Sequence, residues 1–145
     1  MKLPWYVTAL GAALVWGIHY PLIANALKKL SFISVLLLTA LGIIVVVPFF
    51  YREIAADYFI LKAMDWRTKA VLLLPALTGL LGSALLFTSI DSKNATLASL
   101  IEISYPVFVA LFAYVLFREV QINAGILLGA ALVFTGVGLI ILHNP

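Results

Sequence analysis

The sequence predicts an all-α polytopic membrane protein, a bundle of five transmembrane helices. Hydrophobic residues make up 65% of the 145 positions, charged residues only 10%, and the mean hydropathy is +1.18. Soluble domains are about a quarter charged and under half apolar, so a water-soluble fold could not hide this much apolar surface. The charges also separate long uncharged stretches, and none of these stretches alternates as barrel strands do. The lipid bilayer is the expected surrounding.

Five apolar stretches define the expected spans. They cover residues 4–27, 31–50, 69–90, 94–117 and 121–142 of a single domain at 1–145. Each reaches the roughly 20 residues that a helix needs to cross the hydrocarbon core. Helices are expected because a spanning segment must satisfy its own backbone hydrogen bonds.

Most connections between these spans are short. Residues 28–29, 91–93 and 118–119 join consecutive spans, which predicts antiparallel neighbours. The segment 52–69 is longer and mixes charged with aromatic residues. It fits either a short helix at the membrane interface or a plain amphipathic connector, and the composition favours the connector.

Basic residues predict the orientation in the membrane. With five crossings, one side carries Lys2, Arg52, Lys62, Arg67, Lys69 and Arg118, and the other carries Lys28, Lys29 and Lys93. The positive-inside rule then places the N-terminus in the cytoplasm of a multi-pass protein of the plasma or inner membrane. Because the basic residues lie between apolar runs, they indicate topology and no nucleic-acid partner.

The sequence offers little material for catalysis or cofactors. It has no cysteine and two histidines, which argues against a metal site or a Ser-His-Asp triad. It also lacks the glycine-rich motif that cradles nucleotide phosphates. We therefore expect no enzyme, no metal and no cofactor.

Glu102 is the leading functional candidate because it lies near the middle of the fourth span. An ionisable group at that depth costs a few kcal/mol and is functional by default, although a protonated glutamate that only holds helices together is the alternative. Tyr105 shares its helix face. Pro106, four residues on, has no N–H for the carbonyl of residue 102, which predicts a helix break.

The first span carries a second polar group of residues. Trp16, His19 and Tyr20 fall on one helix side, and Pro21 follows as a second helix-break candidate. His19 and Tyr20 fit contact with a solute or a proton. They fit an aromatic belt at the headgroup level equally well, because sequence does not fix depth in the bilayer.

Glycines mark the expected helix-packing surfaces. Gly79 and Gly82 share a stripe of the third span, and Gly125 and Gly129 form a Gly-x-x-x-Gly pair in the fifth. Small residues let helix backbones approach closely where lipid gives no hydrophobic drive for association. We assign these glycines to packing and dimerisation.

Four short stretches of the chain are distinctive in their order and spacing: AALVWGIHYP (12–21), TSIDSKNATLASL (88–100), YPVFVALFAYVLFRE (105–119) and GAALVFTGVGL (129–139). Together they resemble an EamA domain of the drug/metabolite transporter superfamily. The pattern carries over at Trp16, Gly17, Pro106, Glu119 and Gly129. It departs in the second span, where many relatives carry an arginine and this chain reads LLLTALG (36–42).

The resemblance implies transport of small polar or amphipathic metabolites by two such domains in inverted topology. A single domain then predicts a homodimer of two antiparallel copies, with Glu102 binding substrate or a coupling proton. A non-transporting membrane subunit that scaffolds or regulates a partner transporter is the main alternative. An intramembrane enzyme or headgroup binder would need a second carboxylate or a basic cluster at depth, and the sequence offers neither.

Overall fold

A computed structural model describes residues 4–144, and within them every regular element is helical. Lys2, one of the residues behind the predicted orientation, lies outside this range. The helices are α1 (Trp5–Leu27), α2 (Phe32–Val46), α3 (Tyr51–Ala63), α4 (Trp66–Ser92), α5 (Ala95–Glu102), α6 (Tyr105–Phe117) and α7 (Ala124–His143), with a 3-10 turn at Val47–Phe50. Five helical runs in this range are long and apolar enough to cross a membrane, which confirms the predicted fold class.

Polar residues in the connections start several of these helices. Ser31 accepts the N–H of Ser34, Asn94 that of Leu97, and Asn123 that of Ile126. Each side chain satisfies a backbone donor that the first helical turn leaves unpaired. The same short polar segments that separate the apolar stretches therefore also define where α2, α5 and α7 begin.

The second helical run is longer than the sequence predicts. It passes through the 3-10 turn at Val47–Phe50, which contains Pro48, and continues as α3 to Ala63 instead of ending near residue 50. α4 begins at Trp66 and not at residue 69, because Asp65 caps it by accepting the N–H groups of Arg67 and Thr68. The segment 52–69 is therefore mainly helical.

The fourth span is two helices in place of one. α5 ends at Glu102, a turn covers Ile103 and Ser104, and α6 begins at Tyr105 with Pro106 in its first turn. The N–H of Val107 donates to the carbonyl of Ser104 at 3.2 Å, three residues back. The break lies where the sequence places a loosened helix.

Buried side chains gather at one end of the bundle. The core cluster consists of Ile23, Val35, Phe87, Ile90 and Ala98. These residues belong to the last part of α1, the start of α2, the last part of α4 and the start of α5, which meet at the end that carries Lys28 and Lys93. We call this the packed end.

The opposite end, which carries Arg52 and Arg118, is the open end. Side chains of α1, α4 and α6 that point there stay exposed, with Leu10 at 69%, Leu73 at 68% and Leu116 at 63%. Three of its arginines lie over neighbouring aromatic rings, at 5.6 to 5.7 Å from the ring centroids: Arg52 over Tyr51, Arg67 over Trp66 and Arg118 over Tyr114. Aromatic rings beside basic side chains are typical of the interface between bilayer and water.

Candidate functional site

The site is organised around a hydrogen bond between α1 and α5. The hydroxyl of Tyr20 donates to Oε2 of Glu102 at 2.6 Å, and both side chains are half-buried. The hydroxyls of Thr39, Thr78 and Thr135 instead bond to carbonyls of their own helices, three or four residues back. The bond thus joins two helices through residues that lie 82 positions apart in the sequence.

Glu102 occupies a special position on its helix. It is the last residue of α5, directly before the turn at Ile103 and Ser104. Pro106 has no N–H, so the carbonyl of Glu102 lacks the donor that a continuous helix would supply. One position therefore presents a carboxylate and a backbone acceptor together, at the joint between two helices.

Aromatic rings extend this site along α1. The ring centroids of Trp16 and His19 lie 5.1 Å apart, those of Trp16 and Tyr20 5.5 Å, and those of His19 and Tyr20 6.1 Å. His19 is half-buried and Trp16 is 52% exposed. The first span therefore supplies a ring cluster beside the hydroxyl that holds Glu102.

α1 runs through Pro21 without a break, so this proline removes only one donor from the helix.

Tyr105 lies near this contact and takes no part in its hydrogen bond. Within residues 4–144 it makes no hydrogen bond to Glu102, and its side chain is 59% exposed. It lies at one end of an apolar groove of about 500 Å³ along α6. The groove is lined mainly by Phe108, Val109, Phe112 and Leu116, with Glu119 and Gln121 at its other end.

The α6 groove is a feature that the sequence argument missed. Residues 105, 108, 109, 112, 113 and 116 follow the spacing of one helix face, so the periodicity was available. Three of them are aromatic: Tyr105, Phe108 and Phe112. In a span that is apolar all round, this periodicity does not tell a lining face from a lipid-facing one.

The predicted packing glycines are mostly uncovered within the chain. A Cβ added at Gly79, Gly82 or Gly129 would meet no atom within 4 Å. At Gly125 it would come within 3.3 Å of Oδ1 of Asn123, the side chain that caps α7. Close packing of two helices against Gly79, Gly82 and Gly129 therefore does not occur inside one copy.

No group of three metal-binding side chains is close together within residues 4–144. The site is instead a carboxylate with a hydroxyl donor and a set of rings. Such groups can bind a cationic or hydrogen-bonding solute, or take up a proton.

Comparison with known proteins identifies the family. The EamA-like transporter family matches residues 3–142, nearly the whole chain. No curated protein and no solved structure matches the chain significantly. The family is one of transporters and not of enzymes, in agreement with the motif order at 12–21, 88–100, 105–119 and 129–139. With five helical runs able to span a bilayer, the chain belongs to the EamA-like transporter family and is a multi-pass membrane transporter.

Proposed function

We propose that the chain is a secondary transporter of small polar or amphipathic metabolites, with Glu102 as the charged group in the solute pathway. The observation that carries this proposal is the half-buried carboxylate of Glu102, bonded to Tyr20 at 2.6 Å between α1 and α5. A carboxylate that bonds to a neighbouring helix of a membrane bundle is the arrangement expected for a solute or proton site.

Other predicted residues support the same pathway in different ways. Trp16 and His19 stand beside Tyr20 and offer ring faces to a cationic or aromatic part of the solute. Tyr105 begins the α6 groove, which offers an apolar surface next to the polar centre. A polar group joined to an apolar wall suits amphipathic solutes.

We further propose that a second copy of the chain completes the pathway, in antiparallel orientation. Transporters of this kind bind solute near the midplane between two repeats. Two faces are available for a second copy: the α6 groove, and α7 around Gly129, where no side chain of the same chain covers the glycine. Small residues on an uncovered face are the usual contact surface between membrane helices.

Labelling at the two ends of the bundle tests the antiparallel arrangement. The sequence has no cysteine, so single cysteines at Lys29 and Arg118 report on the packed and open ends without background. In sealed right-side-out vesicles, an impermeant maleimide reaches only the outer face of the membrane. It should label about half of the molecules at either position if both orientations occur. If all Arg118→Cys molecules are protected and all Lys29→Cys molecules labelled, every N-terminus is cytoplasmic and the antiparallel dimer is wrong.

Replacement of the carboxylate tests the function itself. Glu102→Gln keeps the size of the side chain and removes its charge. Transport should fall roughly 10- to 100-fold, because a hydrogen bond or ion contact to a charged group contributes about 1.5–3 kcal/mol. Solutes for the assay come from a thermal-stabilisation screen of amino acids, purines and cationic drugs, since a ligand that binds the folded protein raises its melting temperature.

Glu53→Gln is the matched control, because Glu53 is an exposed carboxylate in α3 at the open end. It should leave transport unchanged.

The rival function, a non-transporting subunit, is supported by the same Tyr20 bond, since a hydrogen-bonded glutamate can simply hold two helices together. Full transport by Glu102→Gln protein would remove Glu102 from the pathway, whereas wild-type protein that folds and transports no solute by itself would favour the rival.

A further inference from the structure

We infer that the hydrogen bond between Tyr20 and Glu102 is the latch of a gate at the packed end, and that a solute binding to Glu102 releases it. Tyr20 acts here as a positioning residue for the carboxylate. The inference rests on the proposed role of Glu102 in transport. It adds which end of the pathway is shut in this structure and which contact keeps it shut.

The packed end is sealed by apolar side chains. Ile23, Phe87, Ile90 and Ala98 are each at most 5% exposed, and together with Val35 they close the space between α1, α2, α4 and α5. A polar solute cannot cross such a cluster without parting these helices, because its polar groups would lose their hydrogen bonds. At the open end no comparable cluster is found among residues 4–144.

The Tyr20 bond lies directly beneath this seal. Ile23 follows Tyr20 by three residues on α1, and Ala98 precedes Glu102 by four residues on α5, about one helical turn in each case. Tyr20 itself packs against the core cluster. Separation of α1 from α5 at the seal therefore requires that the Tyr20 hydroxyl leaves Glu102.

The break after Glu102 gives α5 freedom to move. α5 has eight residues, and the turn at Ile103 and Ser104 separates it from α6. The missing donor at Pro106 weakens the backbone connection across that turn. α5 can therefore tilt away from α1 while α6 keeps its place, since hinges form where a few residues at element ends absorb the backbone change.

Competition for the carboxylate of Glu102 couples the solute to the gate. Tyr20 donates to Oε2 of Glu102, and a solute that offers an N–H donor or a positive charge needs the same carboxylate. When the solute draws the carboxylate toward itself, the Tyr20 hydroxyl loses its acceptor and the contact between α1 and α5 weakens. The inferred substrates therefore carry a cationic or N–H donor group.

Cysteine reactivity of the seal tests the inference in detergent-solubilised full-length protein, where both ends are accessible. The reporter is Ala98→Cys, at a position 4% exposed, and Ala24→Cys on α1 is the second reporter should the first fail to fold. Adding Tyr20→Phe removes the hydroxyl and keeps the ring. Maleimide labelling of the reporter should then be about tenfold faster, because the hydrogen bond that joins α1 to α5 is lost.

Two controls separate a latch from a general loss of packing. Tyr6→Phe changes an exposed tyrosine of α1 and should leave the labelling rate unchanged. Ala110→Cys reports on a buried position of α6 outside the core cluster, so its rate should not respond to Tyr20→Phe. An unchanged rate at the seal, or an equal rise at the seal and at Ala110→Cys, would overturn the inference. Neither result depends on transport, so the proposed function is judged separately by Glu102→Gln.

Discussion

The two ends of the bundle are built from the same kinds of residue and pack differently. At the packed end Ile23, Phe87 and Ile90 are at most 5% exposed, whereas at the open end Leu73 and Leu116 are 68% and 63% exposed. In water, the hydrophobic effect would drive apolar side chains to pack against one another. Inside a bilayer this drive is absent, because lipid tails are as apolar as the side chains. The difference shows that hydrophobicity alone does not decide which helices touch.

Connection length explains the difference better. At the packed end α1 and α2 are separated by residues 28–31 and α4 and α5 by Lys93 and Asn94, so these helices must stay in contact. At the open end the whole of α3 intervenes between α2 and α4, and residues 118–123 between α6 and α7. Longer connections leave the helices there free to separate.

A matched pair of phenylalanines tests whether the packed end holds the fold together. Phe87→Ala should destabilise the protein by roughly 3 kcal/mol, because it leaves a cavity in the core cluster that its neighbours fill only in part. Phe112→Ala, at a position 53% exposed in the α6 groove, should change stability by less than about 0.5 kcal/mol. The measurement is the free energy of unfolding in mixed detergent micelles.

The ratio between these two effects is the informative quantity. If Phe112→Ala costs as much as Phe87→Ala, the α6 groove is covered in the folded protein, and the contrast between the two ends disappears. If neither substitution has an effect, contacts other than the core cluster carry the stability.

The sequence predicted the membrane class, the five spans and the isolated carboxylate because these depend on local features. Glu102 stands out through its charge in an apolar stretch, and the break before Pro106 follows from a missing N–H. Its partner Tyr20 was named among the α1 candidates, but their pairing depends on how α1 lies against α5. No local pattern encodes that contact.

Two further structural features could not be predicted from the sequence, for similar reasons. Pro21 and Pro106 satisfy the same local rule, yet α1 continues through its proline while α5 stops before the other. α3 looked like a connector because it is charged, although its N-terminal neighbour α2 continues into it through one 3-10 turn. The outcome at each of these places depends on neighbouring elements, which periodicity does not describe.

A glycine substitution asks whether the uncovered faces meet a second copy. Gly129→Leu should weaken dimerisation by about 1 kcal/mol, roughly fivefold in the dissociation constant, because a bulky side chain keeps the partner helix at a distance. The fold of one copy should tolerate it, since a Cβ at this position meets nothing within 4 Å. Single-molecule photobleaching in liposomes at several protein-to-lipid ratios measures the dimer fraction.

Gly11→Leu is the comparison variant, because a Cβ at Gly11 on α1 also meets nothing within 4 Å. It should leave the dimer fraction unchanged. A dimer fraction that is equal in Gly129→Leu and wild-type protein places the contact elsewhere than on α7, and the α6 groove then becomes the next surface to test.

The smallest expected effect concerns the corner between α3 and α4 at the open end. The hydroxyl of Thr68 donates to Oδ1 of Asp65 at 2.6 Å, and the N–H groups of Thr68 and Arg67 donate to Oδ2. These bonds favour the ionised carboxylate, so they lower the pKa of Asp65 below its ordinary value. A lowered pKa in the folded state stabilises the protein fully above the unfolded pKa of about 4, and this contribution is lost as the pH falls through the folded value.

Asp65→Asn separates the charge from the cap, because asparagine caps a helix about as well as aspartate. The melting temperature of the wild type should therefore exceed that of Asp65→Asn slightly at pH 7, and the difference should shrink toward pH 3. Asp57→Asn removes an exposed carboxylate inside α3 that caps no helix, so it corrects for the general effect of net charge. Should the Asp65→Asn difference persist unchanged at pH 3, the carboxylate does not stabilise this corner through its charge. The start of α4 would then depend on the hydrogen bonds of the cap, which asparagine makes about as well as aspartate.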